Sequence, residues 1–302
     1  MSVVQRRLQS FLVGNNYIQA QVQKAFIDGV PGCIEHATVL MEALRDARAA
    51  KRSICATWLD LANAYGSVRH MFVQFALEWF HVPKNVCEML FHYYEGIFAF
   101  VQNKRWSSAW FPVAIGVPQG CTASTVIFDA AFQLVLDYHT WRVGERKLFF
   151  SLRYVEVRLS KPTFADDIVL VTSTPAENQQ SCDCMAEALD WTVTMKLKPP
   201  KFRALAFKNP GVKELKTKSM TTYSSYDPKI VIGGQAVPFI GNDPDRWFKY
   251  LGRLIQDDLG DDRIRTAIDK KLQDWLVLVD NTALNGVQMS SAKVGFDRRT
   301  ST

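Results

Sequence analysis

Residues 163–172 read Thr-Phe-Ala-Asp-Asp-Ile-Val-Leu-Val-Thr, a run that sets two adjacent carboxylates among apolar residues. Two like charges in an apolar hairpin are costly unless something neutralises them, since buried charges must be paired or bind a metal. The alternative is a tight exposed turn between two strands, because Asp is also a good turn residue. The pattern therefore predicts two strands around Asp166 and Asp167 and leaves both interpretations of the pair open.

A third carboxylate ends another apolar strand. Residues 53–59 are rich in β-branched and aromatic side chains, which predicts a buried strand that stops at Asp60. If the two strands are neighbours, Asp60 and Asp166 converge on one point, and a hard divalent cation with oxygen ligands is the expected occupant. Polymerases use two such ions for in-line phosphoryl displacement.

The chain has two further Asp pairs, 257–258 and 261–262, in a polar stretch that contains glycine and precedes a helix. Here the expected role is structural, as solvated loop charge and as favourable charge at a helix N-terminus. These pairs show what an uninformative Asp pair looks like, which strengthens the case for the pair in the apolar stretch.

Helices and strands alternate irregularly along the rest of the chain. Apolar spacing predicts helices over 36–50, over 68–79 with Val68, Phe72, Phe75 and Trp79 on one face, over 127–138, and over 264–279. Thr174 and Glu177 predict a capping box that opens a helix with Cys182, Met185, Leu189 and Val193 on one face. Strands are expected in 148–159, with Arg153 and Arg158 interleaved, and in 204–207. A hairpin is expected over 229–239. This order favours an α+β fold, with an antiparallel sheet backed by helices, over a doubly wound parallel sheet.

Composition sets only broad limits. The 302 residues are 48% hydrophobic, enough for a sizeable core, and charges interrupt every apolar stretch before it could span a bilayer. The N-terminus has no secretory pattern, and the six scattered cysteines are typical of reduced, intracellular thiols, so the expected location is intracellular and no membrane partner is expected. A net charge of +6 mildly favours a polyanionic partner.

A series of motifs in order carries a family resemblance. They are Asp60-Leu61-Ala62-Asn63-Ala64-Tyr65, Gly116-Val117-Pro118-Gln119-Gly120 with Ser124, Phe164-Ala165-Asp166-Asp167, Pro199-Pro200-Lys201 and Tyr250-Leu251-Gly252, after an upstream segment of Gln23-Lys24-Ala25-Phe26 with Gly29, Gly32, Cys33, Glu35 and His36. Together they resemble the reverse transcriptase domain of non-LTR (LINE-type) retrotransposons over nearly the whole chain. The resemblance implies a polymerase palm that transfers a dNMP to a primer 3′-hydroxyl, with an RNA template, a DNA or RNA primer and dNTPs as partners.

The resemblance also implies roles for individual residues. Asp60, Asp166 and Asp167 would hold two Mg²⁺ ions, with Mn²⁺ as an alternative, and Lys201 would protonate the leaving pyrophosphate. Leu61, Tyr65, Gln119 and Gly120 would bind the nucleotide, with Tyr65 as the steric gate against a ribose 2′-hydroxyl. Tyr250, Leu251 and Gly252 would grip the primer.

Each of these roles has a structural alternative. Tyr65 could be a core aromatic, Gln119 and Gly120 an ordinary turn, Lys201 a surface lysine like its neighbours, and Leu251 a core residue beside a turn glycine. Trp106 and Trp110, with Lys104 and Arg105, could line a nucleic-acid groove, although such Trp residues are more often half-buried structural groups.

The resemblance divides the chain into four parts. Residues 1–52 would be partial fingers and the finger-to-palm segment, 53–208 the palm, 209–256 an insertion with the primer-grip hairpin, and 257–302 the start of a truncated thumb with a frayed tail from about Gly286 to Thr302. An earlier fingers hairpin and a longer thumb, both expected in the family, lack counterparts, which predicts reduced or no activity. Two rival functions stay open, an RNA-dependent RNA polymerase and a catalytically dead palm that binds nucleic acid.

Overall fold

The structure is a computed structural model that describes residues 1–144, 149–152, 158–209, 224–243, 246–260 and 262–280. Its helices are α1 (Ser2–Gly14), α2 (Gly32–Ala49), α3 (Ala64–Ser67), α4 (His70–Trp79), α5 (Lys84–Glu95), α6 (Thr122–Val143), α7 (Pro175–Trp191) and α8 (Asp262–Asp280). Its strands are β1 (Ile54–Leu59), β2 (Leu61–Ala62), β3 (Phe98–Ala99), β4 (Phe111–Pro112), β5 (Phe150–Ser151), β6 (Arg158–Leu159), β7 (Thr163–Phe164), β8 (Asp167–Thr172), β9 (Lys196–Leu197), β10 (Arg203–Phe207), β11 (Ser225–Tyr226), β12 (Val231–Ile232), β13 (Gln235–Ala236), β14 (Trp247–Tyr250) and β15 (Arg253–Gln256). Short 3₁₀ turns lie at Pro199–Lys201 and Ile240–Asn242.

A five-stranded sheet in the order β11-β10-β1-β8-β7 forms the centre of the fold. Every pair of neighbours in it is antiparallel. The strand that ends at Asp60 is the middle one, and it is hydrogen-bonded on one side to β8 and on the other to β10. The α+β class expected from the sequence is confirmed, as is the adjacency of the two carboxylate-bearing strands.

Both faces of the sheet are buried, because successive side chains of a strand point to opposite faces. Cys55 and Leu59 of β1 face a large core built with α1, α4, α5, α6 and α7. Ala56 and Trp58 face a second core built with α2 and the β14–β15 hairpin. The helices predicted behind the sheet are therefore present, and α2 and the hairpin cover the other face.

The helix α7 begins as its sequence predicts. The Thr174 hydroxyl accepts a hydrogen bond from the Glu177 backbone N–H at 3.3 Å, and the Glu177 carboxylate accepts one from the Thr174 backbone N–H at 3.0 Å. Pro175 occupies the first helical position, where no N–H is needed. Such a cap stabilises a helix by about 1 kcal/mol, and here it fixes the chain directly after β8.

Three expectations about packing were wrong. In α4 the buried residues are Val73, Ala76 and Leu77, while Phe75 and Trp79 are 44% and 60% exposed. Of the predicted apolar face, Val68 is buried and Phe72 packs against the core, but Phe75 and Trp79 do not, because α4 carries large apolar side chains on more than one side and spacing alone does not say which side packs.

Val193 does not belong to the buried face of α7. The helix ends at Trp191, and Val193 is 59% exposed with a positive φ of 71°. Asp257, expected as a solvated loop charge, is only 4% exposed. Its carboxylate accepts a hydrogen bond from Arg246 Nε at 3.1 Å. A partner eleven residues away in the chain neutralises it, which a local pattern cannot show.

Other expectations are confirmed or fall outside the described residues. The hairpin around Gly233 and Gly234 is present as β12 and β13, and the ends of the hairpin expected over 148–159 pair as β5 and β6. Arg153, Asp261, the loop over 210–223 and the tail from Gly286 to Thr302 lie outside the described residues. The six cysteines are free thiols. Among the helices described, none has the length and apolar character needed to cross a membrane.

Candidate active site

The register of the central sheet brings Asp60 beside Asp167. Leu59 of β1 is opposite Ile168 of β8, so the next residue of β1 lies beside the preceding residue of β8. On the other side of β1, Trp58 is opposite Arg203 of β10, and continuing that register leads from Asp60 to Lys201. The two carboxylates and the ammonium group therefore share one end of three adjacent strands.

The Asp166–Asp167 pair sits at the tight turn between β7 and β8. Phe164 pairs with Asp167, which leaves Ala165 and Asp166 as the two turn residues. Both carboxylates are half-buried. The two interpretations left open by the sequence are thus both partly correct, since the pair forms a turn and the turn is partly withdrawn from water.

Electrostatics at this turn favours a bound cation. Burial, with the charges of Asp166 and Asp60, raises the pKa of Asp167 to about 6. Burial and the Asp60 charge likewise raise the pKa of Asp166. A raised carboxyl pKa means that the ionised carboxylate is disfavoured unless a neutralising group lies nearby. A hard cation with carboxylate ligands is one way to supply that neutralisation.

Lys201 places a positive charge beside Asp60. Its Nζ lies 2.9 Å from Asp60 Oδ2, and the Lys201 side chain is 55% exposed whereas that of Asp60 is 11% exposed. The hydrogen bond to Asp60 raises the pKa of Lys201. Within the described part of the chain, no three His, Cys, Asp or Glu side chains are grouped closely enough to surround one ion. The donor types suit a divalent ion, but Asp60 would have to exchange its ammonium partner for it.

The segment that carries Lys201 is fixed to the segment that carries Asp60 by backbone hydrogen bonds. Strands β2 and β9 pair through Leu61 and Leu197. The backbone N–H of Lys198 donates to the Asp60 carbonyl at 2.8 Å. Sequence reasoning missed this pairing, because two-residue strands have no detectable alternation.

The hairpin of β14 and β15 closes the other side of the site. Its turn is Leu251-Gly252, as predicted, and both residues have positive φ, 44° and 83°. The Tyr250 ring is buried and lies edge-on to Trp58, with ring centroids 6.4 Å apart. Together with the strand ends, the hairpin encloses a cleft of about 330 Å³. Its lining includes Asp60, Asp167, Lys201, Tyr250 and Leu251.

Tyr65 lies beneath the same end of the sheet. Its ring stacks on Phe128 of α6, with centroids 4.5 Å apart and planes inclined by 10°. Burial, with the charges of Asp129 and Asp166, raises the pKa of its hydroxyl. Tyr65 is therefore half-buried and close to the carboxylates, a position compatible both with a core aromatic and with a steric gate.

The turn at 116–120 is held against the helix that follows Asp60. The Gly116 N–H donates to the Val68 carbonyl and the Val117 N–H to the Tyr65 carbonyl, both at 2.8 Å. A Cβ on Gly116 would lie 2.9 Å from Gly66 Cα, and its φ is 93°, so only glycine fits. Steric crowding therefore explains why the predicted motif begins with glycine.

None of the four predicted nucleotide-binding residues, Leu61, Tyr65, Gln119 and Gly120, lines the cleft. Gln119 and Gly120 are exposed at the start of α6 and do not line it. The Leu61 side chain is buried in the core on the opposite face of the sheet, so only its backbone could reach a ligand. Trp106 and Trp110, proposed for a groove, are 53% and 65% exposed on the segment between β3 and β4.

Sequence reasoning missed the role of Gln23. Its buried side chain exchanges hydrogen bonds with the backbone of Ala165, directly before Asp166. The sequence marks this residue only as part of an upstream motif. A buried glutamine has no sequence signal that names its partner, so only the structure could identify this contact.

Comparison with known proteins identifies the family. Residues 2–254 match the family described as reverse transcriptase (RNA-dependent DNA polymerase). This chain belongs to the reverse transcriptase family. Among curated relatives, it is 26% identical over 230 residues to the retrovirus-related Pol polyprotein of the type-2 retrotransposable element R2DM of Drosophila melanogaster. It is also 26% identical over 269 residues to that of the type-1 retrotransposable element R2 of Nasonia vitripennis.

These alignments cover 76% and 88% of this chain but only 20% and 24% of the two polyproteins. The chain therefore spans about a fifth to a quarter of the length of these relatives. The relatives are retrotransposon proteins, so the resemblance to a LINE-type reverse transcriptase domain is confirmed.

Solved structures agree on the fold. A structure of apo telomerase from Candida tropicalis, truncated from its C-terminal domain, matches with a TM-score of 0.55 at 13% identity, over 86% of this chain and 44% of that one. A second apo telomerase structure from the same organism matches with a TM-score of 0.54 at 11% identity, over 86% and 40%. At such low identity the likeness is one of fold, and it confirms the palm architecture of the reverse transcriptase domain.

Proposed function

We propose that this chain catalyses RNA-directed DNA synthesis, by transfer of a dNMP from a dNTP to a primer 3′-hydroxyl, in the cleft at the end of β1 and β8. The observation that carries the proposal is the convergence of Asp60, Asp166 and Asp167 at adjacent strand ends, with the pKa of Asp166 and Asp167 raised. Membership of the reverse transcriptase family gives this cluster its chemistry.

Asp60, Asp166 and Asp167 would hold the divalent ions that this family uses. When bound, such ions lower the pKa of the attacking hydroxyl and neutralise charge on the triphosphate and the leaving group. The donor types fit this task because carboxylates supply hard oxygen ligands and carry repulsion that a cation would relieve, and the side chains would have to draw closer to surround one ion. We propose Mg²⁺, with Mn²⁺ as its substitute.

Lys201 would act on the leaving group. Its ammonium is mostly exposed, stands beside Asp60 and is held in the protonated form by that carboxylate. A protonated amine at this position can donate a proton to departing pyrophosphate, as general acids do. Substrate binding would have to draw Lys201 away from Asp60, and its long, exposed side chain permits that movement.

Tyr65 and Leu251 would set the positions of nucleotide and primer. The stack on Phe128 fixes the Tyr65 ring in one plane near Asp166, where it would exclude a ribose 2′-hydroxyl. Leu251 lines the cleft from the hairpin turn, where it would support the primer end. An RNA-dependent RNA polymerase would need a smaller residue at position 65.

The proposed template is RNA. A structure of telomerase from Candida albicans in complex with a fragment of telomeric RNA resembles this chain with a TM-score of 0.51. The net charge of +6 also suits a polyanionic partner. Primer and dNTPs follow from the reaction that the family carries out.

Primer extension with Asp60→Asn tests the proposal. Wild-type protein, an RNA template, a DNA primer, dNTPs and Mg²⁺ should give extension, and Asp60→Asn should lower its rate by at least about 100-fold. Asp46→Asn is the matched control, because it weakens another partly buried ion pair, with Arg52 at 3.3 Å, away from the cleft. It should extend the primer like the wild type.

The same assay separates the rival functions. Extension with rNTPs in preference to dNTPs would assign an RNA polymerase. A folded wild-type protein that extends no primer with any metal, and whose affinity for the RNA template is unchanged by Asp60→Asn, would be a nucleic-acid-binding palm without catalysis.

A further inference from the structure

The segment 22–25 lies directly against the turn that carries Asp166. The Thr163 backbone N–H donates to the Val22 carbonyl at 2.9 Å, and the Lys24 N–H donates to the Thr163 carbonyl at 3.1 Å. These two bonds form an isolated parallel bridge between Gln23 and Thr163. A segment far from the palm strands in sequence thus extends the sheet beside β7.

The Gln23 side chain adds hydrogen bonds to the turn itself. Its Oε1 accepts from the Ala165 N–H at 2.9 Å and from the Ala25 N–H at 3.1 Å, and its Nε2 donates to the Ala165 carbonyl at 3.2 Å. Gln23 is 0% exposed. Its carboxamide therefore binds both backbone polar groups of one residue, as a neighbouring strand would.

Ala165 needs such support because its backbone is strained. Its φ is 53°, in the left-handed region that residues with a Cβ adopt at a cost. Strained conformations persist only where the surroundings determine them fully, and they cluster at functional sites. Ala165 directly precedes Asp166, so the conformation of Ala165 sets the direction in which the Asp166 backbone leaves the turn.

We infer that Gln23 is a positioning residue for the Asp166–Asp167 turn, holding Ala165 in its left-handed conformation and thereby fixing where the two carboxylates lie at the end of the sheet, with Asp167 on the wall of the cleft. The inference rests on the proposed function in assigning metal binding to that turn. Gln23 does not line the cleft, and it acts through the backbone of Ala165. Gly32 reinforces the arrangement, because a Cβ there would lie 2.5 Å from the Lys24 carbonyl oxygen and 2.9 Å from the Phe164 ring.

Gln133 provides a matched control within the same chain. It is also buried, at 1% exposed. Its Nε2 donates to Asp137 Oδ1 at 2.8 Å, and its Oε1 accepts from the Gln19 N–H at 3.2 Å. Gln133→Leu therefore removes a buried carboxamide and its bonds, as Gln23→Leu does, without touching the turn. A purely structural role for Gln23 predicts the same behaviour for both variants.

The test compares Gln23→Leu and Gln133→Leu in three measurements on the full chain. Both should lower Tm similarly. In metal-free hydrogen exchange, peptides over 163–168 should exchange about 10-fold faster in Gln23→Leu alone, since the Ala165 N–H loses its acceptor. Mn²⁺ affinity by electron paramagnetic resonance should fall about 10-fold in Gln23→Leu alone. In primer extension, kcat should fall about 100-fold in Gln23→Leu while the KM for dNTP stays within about threefold.

Each outcome decides a separate point. Wild-type exchange at 163–168 in Gln23→Leu, or equal losses of Mn²⁺ affinity and kcat in the two variants, would overturn the inference. A wild-type chain that binds Mn²⁺ but extends no primer would overturn the proposed function alone, because exchange and Mn²⁺ binding still report on Gln23. A wild-type chain that binds no Mn²⁺ would overturn both.

Discussion

At the scale of single residues, the charges of the candidate site lower the stability of the fold. Asp60, Asp166 and Asp167 bring like charges together at one end of the sheet, and the pKa values of the last two are raised as a result. The ammonium of Lys201 offsets part of this repulsion through Asp60. Residues that carry function are often held in such unfavourable settings, so removing one charge should help the fold and harm the activity.

Asp167→Asn should raise the Tm of the metal-free protein at pH 8 and abolish primer extension. The folded-state pKa of Asp167, about 6, lies above its ordinary value. Its charged form therefore destabilises the fold above pH 6, and this penalty fades as pH falls towards the ordinary value. The gain in Tm should accordingly be largest at pH 8 and small near pH 4, measured by calorimetry without divalent ions.

Asp183→Asn is the control for this prediction, since Asp183 is exposed on α7 and its carboxylate accepts a hydrogen bond from Gln179 at 2.8 Å. It should behave as an ordinary surface substitution, which changes the unfolding free energy by no more than about 0.5 kcal/mol, so Tm should change little. A metal-free Tm that falls in Asp167→Asn would show that the carboxylate is stabilised in the fold and would contradict the account of its raised pKa.

At the scale of elements, sequence patterns predict what local chemistry determines. The strand before Asp60, the capping box of Thr174 and the turn at Gly233 and Gly234 are each set by neighbours within a few residues, and each is found. The predicted apolar face of α4 was wrong at Phe75 and Trp79, because the buried side of this helix depends on which side meets α6. The β2–β9 pairing was missed because its partners are far apart in sequence.

The hairpin of β14 and β15 contains a turn residue that does not suit its conformation. Leu251 and Gly252 both have positive φ, as in the hairpin turn for which Asn-Gly is the preferred sequence. Leucine in the left-handed region costs about 1 kcal/mol. Leu251→Asn should relieve this cost, but the half-buried Leu251 side chain also packs against the second core, so the net gain in unfolding free energy should be below about 1 kcal/mol. The substitution should also weaken primer binding, because Leu251 lines the cleft.

Chemical denaturation and anisotropy of a labelled primer–template measure the two effects. Lys229→Asn is the matched control, since Lys229 also has a positive φ, 57°, and does not line the cleft. It should stabilise the fold with no change in primer affinity. If Leu251→Asn keeps wild-type primer affinity, Leu251 is only a core residue beside the turn glycine, the alternative that the sequence left open.

At the scale of the whole molecule, the candidate site depends on contacts that no local pattern contains. The five motifs predict which residues matter, but the sheet order and register decide that Asp60, Asp167 and Lys201 meet. The same holds for Gln23, which reaches across 142 positions to Ala165. Chain-wide packing also buries ionisable groups outside the site, and these make global stability depend on pH.

His139 of α6 and Lys161, whose ammonium contacts Thr140 of the same helix, are two such groups. Burial lowers the pKa of His139 to about 3, with a smaller contribution from Lys161. Burial lowers the pKa of Lys161 to about 8, although Asp137 partly opposes this. Each group binds fewer protons folded than unfolded, between its folded pKa and its ordinary value of 6.5 or 10.5. These two groups should therefore make the unfolding free energy rise with pH over about 3–6.5 and again over about 8–10.5.

Lys161→Met should remove the rise in unfolding free energy between about pH 8 and 10.5. The unfolding free energy of the wild type, measured by urea denaturation at successive pH values, should gain up to about 1.4 kcal/mol per pH unit from Lys161 between pH 8 and 10.5. Methionine keeps much of the apolar stem of lysine and does not titrate. The rise in unfolding free energy with pH should therefore disappear in this variant. Lys208→Met, at an exposed position, should keep it. An equal slope in Lys161→Met and wild type would mean that Lys161 stays protonated inside the fold, with Asp137 and the Thr140 hydroxyl sufficient to hold its charge.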